Sequence, residues 1–108
     1  DRFAQIVANL VSNALRYASQ TVSLTLWEAE GRIHIAVGDD GPGIPDADLP
    51  YVFDRLYTAS ANPAVKESGA GLGLAIVRDL TDRMGGSVMA RRSALGGAEF
   101  VVSFRPAH

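Results

Sequence analysis

From Phe3 to Tyr17 the apolar residues Phe3, Ile6, Val7, Leu10, Val11, Ala14 and Leu15 recur at spacings of three and four. That period predicts a helix with one buried face. Gln5, Asn9, Asn13 and Arg16 form a second, polar stripe along the same helix. Asparagine is a poor helix-interior residue because its amide competes for the backbone, so two in register suggest a use; a solvated face remains the plain alternative. Tyr17 marks the helix end. Val22, Leu24 and Leu26 then alternate with Ser23, Thr25 and Trp27, as Ile33, Ile35 and Val37 do with His34, Ala36 and Gly38. This predicts two half-buried strands joined at Glu30-Gly31 as an antiparallel hairpin. His34 has neither a second ligand nor an acid partner in the pattern and reads as structural.

The stretch Asp39-Asp40-Gly41-Pro42-Gly43-Ile44-Pro45 places two carboxylates and a glycine-proline turn directly after the second strand. Such glycines let the backbone fold tightly and let a flat ligand approach, while an acid at the strand end can accept from an amine such as that of adenine. An ordinary surface turn is the competing reading. Asp46 to Pro50 carries a helix-start signal that Pro50 cuts short. Phe53-Asp54-Arg55-Leu56-Tyr57 follows, and Thr58 to Ser68 has no apolar period; a connection of that length reads as a lid or binding loop, with disorder as the alternative.

Gly69-Ala70-Gly71-Leu72-Gly73-Leu74 opens a second helix through Ile76, Val77, Leu80 and Met84, stopped by Gly85-Gly86. A helix entered through glycines presents unpaired N–H groups and the positive end of its dipole, an arrangement suited to phosphate. It is not a Walker A loop, because no Lys-Ser/Thr follows, and no preceding strand supports a Rossmann turn. Strands from Ser87 and up to Phe104 close the chain around a turn at Arg91 to Gly97. The order helix, hairpin, loop, helix, hairpin predicts an α+β fold: a two-layer sandwich of a mixed, mostly antiparallel sheet with helices on one face.

With 108 residues the chain is expected to form a single domain, 1–108. Hydrophobic residues at 47% and charged ones at 20% fit an ordinary globular protein, and no apolar run approaches a membrane span. A net charge of -2 offers no broad attraction to nucleic acid or anionic lipid, so neither nucleic acid nor direct membrane contact is expected. The absence of cysteine removes disulfides, thiolate metal sites and cysteine nucleophiles, and suits a reducing cytoplasm. The abrupt opening at Asp1 without methionine suggests a fragment of something longer.

Taken together the segments resemble the ATP-binding catalytic domain of bacterial two-component sensor histidine kinases, in the wider group that includes DNA gyrase, the MutL proteins and the heat-shock chaperone ATPases. Asn9 to Tyr17 looks like the family's N box, Asp39 to Ile44 its G1 box, Phe53 to Tyr57 its F box and Gly69 to Leu74 its G2 box. Each motif is short, but four in the family's order are specific. The resemblance implies a Bergerat-type fold, ATP and Mg2+ as cofactors, and Asn13 as the metal ligand with Asn9 facing the phosphates. It implies that Arg16 pairs with phosphate, Tyr17 packs near adenine, Asp39 accepts from the adenine amine, and Gly41, Gly43 and Ile44 admit the base. The N–H groups from Gly69 through Gly71, Leu72, Gly73 and Leu74 would hold the phosphates, Phe53 would anchor a lid, and Arg55 would contact phosphate or a partner. Asn9, Asn13, Arg16 and Arg55 are thus the catalytic candidates.

The implied activity is donation of the γ-phosphoryl group of Mg-ATP to a histidine on a separate phosphoacceptor domain, in cis or in trans, and onward to a response regulator. Three departures temper it: the helix begins at the terminus where the family carries a strand or two, Gly97-Ala98-Glu99-Phe100 lacks the family's frequent threonine, and no phosphoacceptor helix is present. Asn9 stands where the clamp ATPases have a glutamate; an amide cannot activate water, which argues against a hydrolase. A degenerate nucleotide-binding module and a serine kinase of the anti-sigma-factor type remain open, the F-box-like segment disfavouring the latter. The resemblance also implies a cytoplasmic location, as a split-kinase component or the cytoplasmic part of a membrane-bound sensor.

Overall fold

A computed structural model describes residues 2–53 and 70–106. Helix α1 (Arg2–Tyr17) leads into strands β1 (Val22–Ala29) and β2 (Arg32–Asp39), a short 3-10 helix (Asp46–Tyr51), helix α2 (Ala70–Arg83), and strands β3 (Ser87–Arg92) and β4 (Ala98–Phe104). The hairpin between β1 and β2 turns at Glu30 and Gly31, both at positive φ (56° and 75°), as the twist-matched primed turns require. Pro50 lies inside the 3-10 helix, which ends one residue later. Glycines stop α2 as its pattern predicts: Gly85 is left-handed, the Gly86 N–H donates to the Thr81 carbonyl and the Gly85 N–H to the Asp82 carbonyl, each at 3.0 Å. These are the two bonds of a Schellman cap.

The strands form one sheet in the order β1-β2-β4-β3, and every pairing among the described residues is antiparallel. Register sorts the side chains by face. Ile35 lies opposite Val102 and Val37 opposite Phe100, and these pack with Ile6, Leu10 and Ala14 of α1 and Leu74 and Val77 of α2 in one core. Phe53 closes that core edge-on against Phe100, ring centroids 5.9 Å apart. On the other face Trp27 stacks on His34 at 5.1 Å and 13°, and the His34 Nδ1 pairs with the Ser103 hydroxyl at 2.7 Å. Both contacts are with side chains of neighbouring strands, in keeping with a structural histidine.

Two parts of the expected apolar stripes are not buried. Leu15 is 65% exposed, and Leu24 and Leu26 are 53% and 60% exposed. The physical reason is geometric: α1 buries the arc through Ile6, Leu10 and Ala14, with Val7 and Val11 at its margins, while β1 is the sheet edge beside β2. Asn13, from the polar stripe, instead falls among the buried residues of α1.

Candidate functional site

The site is assembled where three turns meet at the end of β2. Asp39, the last residue of that strand, is 2% exposed, and its Oδ1 accepts from the Gly41 N–H at 2.9 Å and from the Ala98 N–H at 3.3 Å. The Asp39 carbonyl in turn accepts from the Gly97 N–H at 3.1 Å. One carboxylate oxygen is therefore committed to backbone. Among the described residues the other, Oδ2, receives no such bond. A side chain at Gly97 would overlap Asp39 Oδ1, the Asp39 carbonyl and the Gly41 nitrogen. The β3–β4 turn reaches the acid only because that position has none.

The G1 turn is pinned on its other side by α1. A Cβ on Gly41 would overlap the Tyr17 carbonyl oxygen, so glycine permits the end of α1 to lie directly against the turn. Next to it, the Asp40 carboxylate accepts from the Ser19 N–H at 2.8 Å and from the Gln20 N–H at 3.1 Å. The Gln20 amide first and then that of Thr21 hold the Asp40 carboxyl below its ordinary value, against an opposing effect of desolvation that outweighs the lesser help from the Ser19 amide. Gly43 is left-handed at φ 78°, and a Cβ there would meet the backbone of Gly96 and Gly97 at ordinary contact distance, 3.6 Å. A cleft of about 220 Å³ lies there, lined by Pro42, Gly43, Ile44, Arg92, Gly96 and Gly97. It is smaller than the roughly 300–1,000 Å³ of sites that enclose a small molecule and contains no residue of α1. It flanks the acid rather than forming the whole site.

The predicted residues divide accordingly. Asp39 and Gly41 come together with the end of α1, where Tyr17 is half-buried, while Gly43 faces the β3–β4 turn and Ile44 is half-buried. The Tyr17 hydroxyl is buried with no hydrogen-bond partner among the described residues. Asn9 is half-buried, Asn13 is 9% exposed and Arg16 is exposed. Gly71, Leu72 and Gly73 fall in the first turn of α2 rather than ahead of it, so their N–H groups belong to the set a helix start leaves unpaired. Leu74 is a core residue. Gly69, Arg55 and the expected lid from Thr58 to Ser68 lie outside the described residues. Sequence reasoning gave no role to Gly97 or Asp40. The first is reachable only through the β2–β4 register, and the second only through the loop after α1.

Over residues 1–108 the chain matches a family described as histidine kinase-, DNA gyrase B-, and HSP90-like ATPases. The chain belongs to this family. The ATPase domain is 43% identical over 101 residues to the signal transduction histidine-protein kinase AfsQ2 of Streptomyces coelicolor, covering 94% of this chain and 19% of that protein. It is 36% identical over 106 residues to the virulence sensor histidine kinase PhoQ of Salmonella typhimurium, covering 98% of this chain and 21% of that protein. The solved structure of full-length ShkA in complex with AMPPNP superposes with a TM-score of 0.79 at 33% identity, covering 95% of this chain and 21% of that one. The ATPase domain thus spans about a fifth of the length of these curated relatives. It is of the histidine-kinase ATP-binding type, with the α+β architecture those domains share.

Proposed function

We propose that this chain binds Mg-ATP between α1, the G1 turn and the start of α2, and donates the γ-phosphoryl group to a histidine supplied by another domain or protein in two-component signalling. The observation that carries this reading is Asp39: a buried carboxylate whose Oδ1 is held by two amides, with Oδ2 unbonded among the described residues, is built to accept from an amine such as that of adenine. Asn13 and Asn9 stand one helical turn apart on α1 and supply neutral oxygens toward the phosphates. Among the described residues no cluster of three acidic, histidine or cysteine side chains is available to cage a metal. That suits Mg2+, which keeps waters and substrate phosphate oxygens and takes few protein ligands. The ion would neutralise phosphate charge when bound. Arg16 and the amides of the first turn of α2 would orient the same oxygens, because phosphoryl transfer is mainly positioning and charge stabilisation. Gly69 and Arg55 keep the roles the resemblance implies, as phosphate amide and as phosphate or partner contact. A response regulator would receive the phosphoryl group from the acceptor histidine.

Incubation with γ-labelled ATP, alone and with an acceptor domain from a histidine kinase, tests this. No stable label is expected on the isolated chain, and acid-labile, base-stable label is expected on the acceptor. Label retained on the chain after His34 and His108 are both replaced would refute the reading. A second reading, a nucleotide-binding module without transfer, is favoured by Ala98: its amide bonds Asp39, and the residue is buried where the family often has a threonine. Tight Mg-ATP binding with no transfer to any acceptor would support it.

A further inference from the structure

The two carboxylates of the G1 turn face different neighbours, and only Asp39 has been given a task. Asp40 turns back to the α1–β1 connection, where consecutive amides of Ser19 and Gln20 converge on it, Gln20 reaching both oxygens at 3.1 Å. We propose that Asp40 is a positioning residue for nucleotide binding: it clamps the C-terminal end of α1 to the G1 turn, so that the α1 residues serving the phosphates and the acid serving the base keep one spacing. This rests on the nucleotide-binding reading above.

Three observations carry the clamp. The donors are backbone groups within three residues of Tyr17, so the bonds act on the helix end rather than on a swinging side chain. The Tyr17 carbonyl lies against the α-carbon of Gly41, so the helix and the turn already touch next to the clamp. Amides bonded to an ionised acceptor make the stronger class of hydrogen bond, and the same amides hold the Asp40 carboxyl in its ionised form. The consequence for a ligand follows from its two ends. Adenosine engages only the G1 turn and the adjoining end of α1 at Tyr17, whereas ATP also reaches back along α1 to Asn9, Asn13 and Arg16, and those phosphate contacts are worth most when the spacing is fixed in advance.

Parent, Asp40→Ala and Asp40→Asn proteins are titrated with Mg-ATP and with adenosine by NMR, which reads weak and tight binding alike, and their thermal unfolding is recorded. Asp40→Ala is expected to weaken Mg-ATP about ten-fold, in keeping with hydrogen bonds to a charged group, while adenosine changes less than about two-fold. Asp40→Asn keeps one oxygen toward Ser19 and Gln20 and is expected to fall about three-fold for Mg-ATP alone. A purely structural Asp40 would lower the unfolding temperature while the folded protein bound both ligands as before; that result overturns the proposal, as does equal weakening of both ligands. Should Asp40→Ala not fold, unchanged Mg-ATP affinity in Asp40→Asn overturns it. A parent that binds no Mg-ATP overturns the functional reading itself, and the clamp with it.

Discussion

Two amides, from residues far apart in the chain, converge on one oxygen of Asp39 and set the plane of its carboxylate before any ligand arrives. Replacing that oxygen set by an amide removes the charge and puts a donor where an acceptor is needed. Asp39→Asn is therefore expected to cost roughly 1.5–3 kcal/mol in ATP binding and to shrink the preference for ATP over GTP, as competition calorimetry would show. An unchanged preference would sink the assignment of the base to this acid. Gly97→Ala tests the same point from the other side. Its methyl would overlap backbone and the carboxylate, neither able to yield as the tip of a flexible side chain could. Overpacking of this kind costs typically about 1–3 kcal/mol, so a lowered unfolding temperature together with weakened ATP binding is expected. Asp39 was legible in the sequence because an acid ending an alternating apolar run, before glycines, is a local pattern. Gly97 was not, because its proximity to Asp39 is made by pairing β2 with β4 across an intervening helix.

Helix α1 shows what periodicity reveals and where it stops. Spacing located the helix and its end, and it found the polar stripe, but it could not tell how much of the apolar arc would be covered. Leu15 lies outside the arc that meets the sheet, whereas Asn13, polar by composition, is turned inward. A buried amide without charge serves best as a neutral oxygen for a metal that arrives already carrying phosphate. Asn13→Ala is expected to abolish most of the magnesium dependence of ATP binding while leaving adenosine binding near its parent value. Calorimetry with and without magnesium decides it, and parent-like Mg-ATP affinity in the variant would remove Asn13 from the metal. In α2 the glycines were legible as a helix entry, yet the helix begins at Ala70 and takes Gly71 and Gly73 into its first turn. A glycine permits either arrangement, and burial of Leu74 and Val77 against α1 and the sheet decides for the helix.

At the scale of the whole molecule, element order alone yielded the α+β class, since helices alternate with hairpins and each hairpin is local. The strand order was beyond it: placing β4 between β2 and β3 depends on which apolar faces meet, Val37 with Phe100 and Ile35 with Val102, not on neighbours in sequence. That arrangement leaves the chain's single tryptophan on the side of the sheet away from the helices, stacked on His34. His34 and Asp39 lie on the same strand, roughly 17 Å apart at about 3.4 Å per residue. The indole should thus serve as a built-in optical gauge, deaf to the ligand and responsive to unfolding. Its emission during denaturant titration should be the same for folded protein with and without nucleotide, while the midpoint moves upward by mass action. Saturation at 100 times the dissociation constant should add about 2.7 kcal/mol to the unfolding free energy. An affinity can then be weighed without labelling anything, and a midpoint indifferent to Mg-ATP would mean that the folded chain does not hold it.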